Sequence, residues 1–363
     1  MIDKGAEKIR IGWGQLLILL LLCKVFTLMT FVPLIGEGYS LTSQLIAAAI
    51  SIVIQAIMII PVIILSKCIP EKNVTLAAFS VNKGLGIIYS VLYFVYFIIY
   101  ALNSTFSFQR FITIRFYPSV NKYLWVAIFI IVCVYCAYLG IEGISRSSVL
   151  VFLLFIFMLI LMVFMSFHDI DFTNYYFDRK FYDSIYTAVL NDIQRNGEIT
   201  ALAFLMKFVS EKFRCSAYGY LAAKLVTVEI VTLLIITVLG DFAAVTEYPF
   251  MEVGSYAGVR LIQRLDSVYM VTWTITSVIN ISLFIYLCGN IIKEVFPKIK
   301  LANSICGLLI FLLCIPLVLQ SERNSIISAL FSSGYSIIFY TAVLPLILLI
   351  ILKISAKKHK EKI

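Results

Sequence analysis

Ten blocks of about 20 consecutive, mostly apolar residues dominate this sequence and restrict the folds open to it. Each block is long enough to cross the roughly 30 Å hydrocarbon core of a bilayer as an α-helix. Because lipid offers no hydrogen bonds, the backbone polar groups of such blocks must pair internally, as they do in helices. The sequence therefore predicts an all-α integral membrane protein with about ten transmembrane helices. We place these spans at residues 11–33, 41–66, 84–105, 121–140, 147–167, 185–206, 217–243, 267–292, 301–320 and 330–354.

The low charge content argues against a soluble enzyme. Of the 363 residues, 13% are charged, against roughly 25% in soluble domains, and 62% are hydrophobic. The sequence has no phosphate-binding loop, nucleophile elbow or metal-binding helix. We therefore predict no enzymatic activity, no catalytic residues, no cofactor and no metal site. Lys and Arg occur in short clusters between the apolar blocks, which also argues against nucleic acid as a partner.

The same basic clusters predict the orientation of the chain in the membrane. With a cytoplasmic N-terminus and alternating loops, 18 of the 29 Lys and Arg residues fall on the cytoplasmic side and eight on the other. This bias follows the positive-inside rule and predicts that both termini are cytoplasmic. We expect one polytopic domain over residues 1–363, ending in a basic tail at 355–363 that faces anionic lipid.

One charged residue lies deep in the first span. Lys24 stands about midway along this block, and Thr27, Thr30 and Pro33 follow it. A charge at this depth is costly unless it meets a partner or a cavity. Lys24 is therefore either a cation that binds or gates a ligand at a local helix break, or a lysine permanently paired with a neighbouring span.

A polar stretch interrupts the sixth block. Residues 192–200 read DIQRNGEIT, a run of charge and glycine inside an apolar segment. Irregular backbone at membrane depth is tolerated where it is buried in protein or lines a cavity. A break here would present main-chain groups to a ligand, and half-helix N-termini favour anions such as a carboxylate. The alternative is that the stretch is simply the outer start of the sixth span.

Further polar side chains occur on the third, seventh and eighth blocks. On the third, four tyrosines at 89, 93, 96 and 100 share one helix face with Asn103, and this stripe either lines a ligand pocket or packs helices together. On the seventh, Lys224 and Glu229 are poorly spaced for a direct helical pair, so we expect ion pairs with other helices rather than a proton relay. On the eighth, Asn280 is placed to hydrogen-bond across helices, and Trp273 to lie near an interface.

Three patches of the sequence resemble the B subunits of bacterial spore germinant receptors, which belong to the amino acid, polyamine and organocation (APC) transporter superfamily. They are YCAYLGIEGISR at 135–146, YPFMEVGSYAGVRLIQRLDSVYMVTW at 248–273, and the first span ending in Pro33. The similarity covers nearly the whole chain. The chain departs from the family pattern where Lys24 and its neighbours replace glycine in the first span, and it lacks a proline shortly after Glu198. Residues matching the family signature, to which we assign a structural role, are Tyr135, Gly140, Glu142, Arg146, Tyr248, Pro249, Arg264 and Asp266.

The resemblance implies a fold and a site. The fold is a LeuT-like 5+5 inverted repeat, with the first repeat over 1–167, the second over 185–354, and discontinuous first and sixth helices around a central site. The site would be built from those two helices and from the inner faces of the third and eighth. The ligand-binding residues expected on this basis are Lys24, Phe26, Thr27, Thr30, Tyr96, Tyr100, Asn196, Gly197, Glu198, Thr200, Trp273 and Asn280.

The resemblance also implies a function. A germinant receptor subunit would bind a small nutrient, an amino acid above all, and trigger spore germination together with companion A and C subunits. It would be a multi-pass protein of a bacterial cell or spore inner membrane, in contact with the lipid bilayer. The alternative is an amino acid permease coupled to protons or sodium, with Glu198 or Lys24 taking part in its transport cycle.

Overall fold

The computed structural model of the protein describes residues 10–30, 41–115, 121–174, 181–209, 212–257, 265–319 and 334–360. Every secondary-structure element within these ranges is helical. Seven helices are long and apolar enough to cross a membrane, and two shorter apolar helices, Lys122–Tyr138 and Ala302–Val318, accompany them. The prediction of a helical, multi-pass membrane protein is confirmed.

The α-helices are numbered in chain order. They are α1 (Trp13–Thr30), α2 (Leu41–Met58), α3 (Ile60–Cys68), α4 (Val74–Val81), α5 (Lys83–Arg115), α6 (Lys122–Tyr138), α7 (Gly140–Met165), α8 (Phe181–Gln194), α9 (Leu202–Leu205), α10 (Phe213–Leu239), α11 (Pro249–Ala257), α12 (Leu265–Val295), α13 (Ala302–Leu319), α14 (Gly334–Ile338) and α15 (Leu344–Lys360). Short 3-10 helices occupy Phe172–Asn174, Gly197–Ala201, Met206–Phe208 and Gly240–Ala244, and a π-helix occupies Phe339–Val343.

The first span is continuous where the sequence predicted a break. α1 runs without interruption from Trp13 to Thr30, so a local helix break at Lys24 is wrong. The hydroxyls of Thr27 and Thr30 donate to main-chain carbonyls one turn earlier, at 2.7 and 2.6 Å, which is compatible with a regular helix. Pro33 and the rest of 31–40 lie outside the described residues, so a discontinuity of the first span beyond Thr30 stays a prediction.

The sixth span is interrupted, as the sequence predicted. α8 ends at Gln194, and the chain continues through a 3-10 helix at Gly197–Ala201, the four-residue α9 and a second 3-10 helix. Asn196 and Gly197 are poor helix formers, which favours the break at this point. The alternative that 192–200 is the outer start of a span is wrong, because α8 precedes it.

Two span boundaries differ from the prediction. α5 continues to Arg115, beyond the predicted end at residue 105. Its added turns pack on Trp273: Phe108 stacks on the indole ring with centroids 5.2 Å apart, and the tilted ring of Phe111 lies 4.1 Å from it. α7 begins at Gly140 rather than 147, directly after a tight turn in which this glycine has a φ of 76°, a value that favours glycine.

Helix packing places α1 at the centre of the molecule. α1 packs against α7, α10 and α12, and the 3-10 helix of the interrupted span also contacts it. α2 packs against α8 and α10, so the first half of the interrupted span, α8, lies against α2. The break in the sixth span therefore lies between α1 and α2 and close to α5.

Candidate functional site

A small cavity lies beside the break in the sixth span, between α1, α5 and the end of α8. We call it the break cavity. Its volume is about 80 Å³. It is lined by Phe26, Thr27, Thr30, Tyr96, Ile99, Tyr100, Asn103, Ser104, Ser107, Gln194, Arg195, Gly197 and Ile337.

The volume of the break cavity limits what can enter it. A space of this size admits about three water molecules, at roughly 30 Å³ for each in the liquid. Only the smallest amino acids approach this size, so larger ones are excluded unless the walls of the cavity move. Its lining mixes aromatic side chains with hydroxyl and amide groups, which is typical of sites for small polar ligands.

Gly197 brings the main chain of the interrupted span against α5. A Cβ atom added at this residue would lie 2.2 Å from a ring carbon of Tyr100 and 3.1 Å from the hydroxyl oxygen of Tyr96. Such contacts exclude any larger residue without movement of α5. The carbonyl oxygen of Gly197 accepts from the Thr200 hydroxyl at 2.7 Å and, at 3.5 Å, from Tyr96.

Lys24 is buried against the break but does not line the cavity. Its Nζ donates to Oδ1 of Asn196 at 2.6 Å and lies 3.9 Å from a carboxylate oxygen of Asp192. The Lys24 side chain is 3% exposed. Asn196 in turn donates to the Asp192 main-chain carbonyl at 2.5 Å. In this structure Lys24 is therefore paired with a neighbouring span, one of the two alternatives left open by the sequence.

Further polar contacts extend from Asp192 to α10. The hydroxyl of Ser51 donates to the Asp192 carboxylate, and the Gln55 amide nitrogen lies 3.4 Å from that hydroxyl oxygen. The ammonium of Lys224, which is fully buried on α10, donates to the Gln55 amide oxygen. The charges on the seventh block predicted an ion pair for Lys224, whereas the hydrogen bond that Lys224 makes here is to an amide.

Glu198 lies on the side of the break that faces α10. Its side chain is fully buried, and Oε1 accepts from the Tyr220 hydroxyl at 2.5 Å. Among the described residues, no group donates to the second oxygen, Oε2. A buried carboxylate oxygen without a donor costs free energy, so this atom is a natural place for a proton, a cation or a water molecule.

The twelve residues predicted to bind ligand divide into two groups. Six line the break cavity, and six are buried behind it. The lining residues are Phe26, Thr27, Thr30, Tyr96, Tyr100 and Gly197, and the others are Lys24, Asn196, Glu198, Thr200, Trp273 and Asn280. Two residues of the second group contact residues that line the cavity. Trp273 donates its indole N–H to the Thr30 hydroxyl at 2.8 Å, and Asn280 donates to the Ser104 hydroxyl at 3.1 Å.

The tyrosine stripe of the third span divides between the break cavity and helix packing. Tyr96 and Tyr100 line the break cavity. Tyr89 and Tyr93 instead pack between helices. The Tyr89 hydroxyl donates at 3.0 Å to the Leu344 carbonyl, just after the π-helix, and the Tyr93 hydroxyl donates at 2.7 Å to the Tyr340 carbonyl within it. The stripe therefore joins the cavity to the last span.

The prediction of ligand-binding residues omitted Arg195. Among the described residues lining the break cavity, Arg195 has the only charged side chain. Gln194, Ser104 and Ser107 were also omitted, although they supply polar groups to the lining. Arg195 was visible as part of the polar stretch in the sixth block, but its neighbours gave no reason to choose it over Lys24.

The second signature patch builds a junction between α5 and α11. Tyr248 is buried, its ring meets Phe111 edge-on at 4.7 Å, and the Arg115 guanidinium lies 5.6 Å from the ring centroid. Arg115 also pairs with Glu252 on α11 at 2.5 Å. Pro249 is the first residue of α11.

The remaining signature residues lie away from the break cavity. Glu142 and Arg146 form an exposed ion pair one turn apart on α7, and Tyr135 is 66% exposed on α6. Asp266 accepts from the Ser267 main-chain N–H at 2.9 Å, in the first turn of α12. Arg264 lies outside the described residues.

The helices and the break cavity together define a multi-pass, transporter-like membrane protein. A family model described as spore germination protein matches residues 15–326, and the chain belongs to this family. The match confirms the resemblance drawn from the sequence, and it identifies a receptor- or permease-like family rather than an enzyme family. No curated protein matches the chain.

Proposed function

We propose that this protein is a nutrient-receptor subunit that binds an amino acid in the break cavity and thereby triggers spore germination. The observation that carries the proposal is the unwound main chain at Gly197, which meets α1 and α5 around a cavity of about 80 Å³. Irregular backbone at this depth is typical of the substrate sites of transporters.

The two ends of an amino acid have distinct counterparts at the break. Arg195, which is among the lining residues, suits a carboxylate because a guanidinium can donate two parallel hydrogen bonds. The C-terminal end of α8 carries partial negative charge and suits an ammonium group. We therefore assign the ligand carboxylate to Arg195 and the ligand amine to the end of α8.

A receptor must also change state when ligand binds, because a ligand with equal affinity for two states shifts neither. The residues on either side of Gly197 provide the connection. Asn196 is bonded to Lys24 on α1, and Glu198 to Tyr220 on α10. A ligand that moves the Gly197 main chain would therefore bias the position of α1 relative to α10.

We further propose ten spans in two inverted repeats, 1–167 and 185–354, with both termini cytoplasmic. The seven long helices, the two shorter ones and the interrupted segment account for the ten. The protein would lie in the inner membrane of the cell or spore, and companion A and C subunits would receive its signal. The bias of basic residues supports this orientation.

A coupled amino acid permease is the second candidate, and Glu198 favours it. Its buried Oε2, which accepts no hydrogen bond from the described residues, is suited to carry a proton or to contact a cation. Both functions use the same fold. They differ in whether ligand binding depends on pH or sodium and in whether ligand crosses the membrane.

The test of the proposed function is binding of the standard amino acids to the purified protein across pH, with and without sodium. We expect saturable binding of one or a few small amino acids, unaffected by sodium. Reconstituted vesicles should show no accumulation driven by a proton or sodium gradient. Gradient-driven uptake would favour the permease, and the absence of binding by any amino acid would contradict both.

Replacing Arg195 with glutamine should weaken binding of the selected amino acid about tenfold to a hundredfold, since a hydrogen bond to a charged group contributes about 1.5–3 kcal/mol. The measurement is calorimetric titration of wild-type and variant protein. The amide of the same amino acid, which lacks the carboxylate, serves as the matched ligand. The wild-type protein should bind the amide no more tightly than the variant binds the amide. Equal binding of the acid by both proteins would refute the assignment of Arg195.

Replacing Glu198 with glutamine keeps an acceptor for the Tyr220 hydroxyl but removes a buried negative charge. We expect the ligand concentration for half-maximal germination to rise about tenfold, because charged acceptors are stronger by roughly 1 kcal/mol or more. Dose-response curves of spores carrying the variant measure this shift. An unchanged curve for every amino acid would show that the site is assigned wrongly.

A further inference from the structure

A second cavity lies at one end of the helix bundle, where several spans begin or end. We call it the basic cavity, and its volume is about 400 Å³. Its lining includes five basic residues, Arg10, Lys67, Lys207, Lys212 and Arg214, together with Glu71. These residues come from the segment before α1, the end of α3 and the turn after it, the end of the interrupted span, and the start of α10.

Main-chain and side-chain hydrogen bonds hold the walls of the basic cavity together. The main-chain N–H of Ile11 donates to the Phe208 carbonyl at 3.0 Å, which joins the segment before α1 to the interrupted span. The hydroxyl of Ser216 on α10 donates to the Trp13 carbonyl at 2.8 Å. The cavity is therefore built from several elements, unlike a scatter of lysines on a loop.

The charge of the lining is strongly positive among the described residues. Five basic side chains and one carboxylate, that of Glu71, line the cavity. The ammonium of Lys207 is paired at 3.0 Å with the carboxylate of Glu294. Lys67, Lys212 and Arg214 are exposed at helix ends, the depth at which a bilayer carries its phosphate groups.

We propose that the basic cavity binds a phosphate group, either that of an anionic phospholipid headgroup or free inorganic phosphate. Grouped Lys and Arg side chains recognise phosphate by charge and by directed N–H donors. Basic pockets between spans are the arrangement in which membrane proteins hold anionic headgroups. The apolar wall formed by Ile63, Met206 and Phe213 suits the glycerol and acyl part of a lipid.

Lys207 gives such a ligand a route to the site of the proposed function. Lys207 lies at the end of the interrupted span and donates to Glu294 of α12. The same carboxylate also accepts from Asn73 at 2.8 Å and from Thr75 at 2.6 Å. A phosphate in the cavity would compete with Glu294 for this ammonium. Occupancy would thereby change how the end of the interrupted span is held against α4 and α12.

The test uses purified full-length protein in zwitterionic detergent, with thermal unfolding followed as a short-chain phosphatidylglycerol is added. We expect a saturable rise in unfolding temperature, and no comparable rise with the matching phosphatidylcholine. The double variant Lys67→Gln with Arg214→Gln should bind the anionic lipid about thirtyfold more weakly. Each basic residue near the membrane surface raises the affinity about five- to sixfold, and two of them are removed. Restoring charge with Lys67→Arg and Arg214→Lys should recover the effect.

A matched control and a second probe complete the experiment. Lys298→Gln with Lys300→Gln removes two exposed charges near the end of α12 that do not line the cavity, and it should leave the lipid effect unchanged. Inorganic phosphate, tested in the same way, identifies the source of the phosphate group. If inorganic phosphate stabilises the wild type but not the Lys67 and Arg214 variant, the ligand is free phosphate. If inorganic phosphate does not stabilise the wild type, the ligand is the lipid headgroup. The proposal would be overturned if the two lipids had equal effects and inorganic phosphate gave no response that the variant loses. It would also be overturned if the control variant lost the lipid effect as much as the cavity variant.

Discussion

Replacing Gly197 with alanine is expected to remove most of the response to the amino acid ligand while the protein still inserts into the membrane. The new methyl group would lie 2.2 Å from the Tyr100 ring and would fill or distort the break cavity. Tyr100 cannot move away freely, because its ring packs on Phe284 with centroids 4.2 Å apart. Overpacking a buried site costs about 1–3 kcal/mol. Strain of this size in the ligand-bound state would lower the affinity about five- to 150-fold.

The measurements are calorimetric binding to purified protein and dose-response curves of spores. Gly14→Ala is the matched control, because a Cβ atom at that residue of α1 meets no other atom within 4 Å. It should bind and respond like the wild type. Wild-type affinity in Gly197→Ala would show that the break cavity is not the ligand site, whatever the fate of the basic cavity.

Replacing Lys24 with methionine is expected to abolish the response and to destabilise the protein. Methionine has a similar length but no charge, so it would leave Asp192 and Asn196 without the ammonium that now lies 3.9 and 2.6 Å from their oxygens. Removing one member of a buried ion pair costs about 3–5 kcal/mol. Because the Asp192 side chain is 18% exposed, we expect the lower end, about 3 kcal/mol.

Thermal unfolding in detergent and germination assays measure the two effects of Lys24→Met. The double variant Lys24→Met with Asp192→Asn removes both charges and should regain part of the lost stability, since neither charge is then unpaired. It should not regain the ligand response. A normal dose response together with an unchanged unfolding temperature in Lys24→Met would contradict the assigned pairing.

Several features of the fold were predictable because their causes are local. Blocks of apolar residues predict membrane helices directly, since their length and composition decide their solvent. The break in the sixth span was also predictable, because Asn196 and Gly197 are poor helix formers in any context. By contrast, the break predicted at Lys24 is absent, because a lysine with a partner can remain in a continuous helix, as α1 shows.

The residues of the site were predictable only in part. Tyr96, Tyr100 and Gly197 line the break cavity as the spacing and the break suggested. Trp273, expected at the ligand, lies behind the lining and holds Thr30 through its indole N–H. The presence of Arg195 in the lining of the break cavity was not predicted, because it depends on how α8 ends.

The sequence by itself determined that this chain is a helical membrane protein, where most of its spans lie and that the sixth is broken, because these properties depend on local composition and backbone preference. Only the tertiary structure decided which charges meet. Lys24 and Asn196 are 172 positions apart, and their contact depends on how α1 packs against the interrupted span. The same holds for the two cavities, whose walls come from segments that are distant in sequence and become neighbours through helix packing.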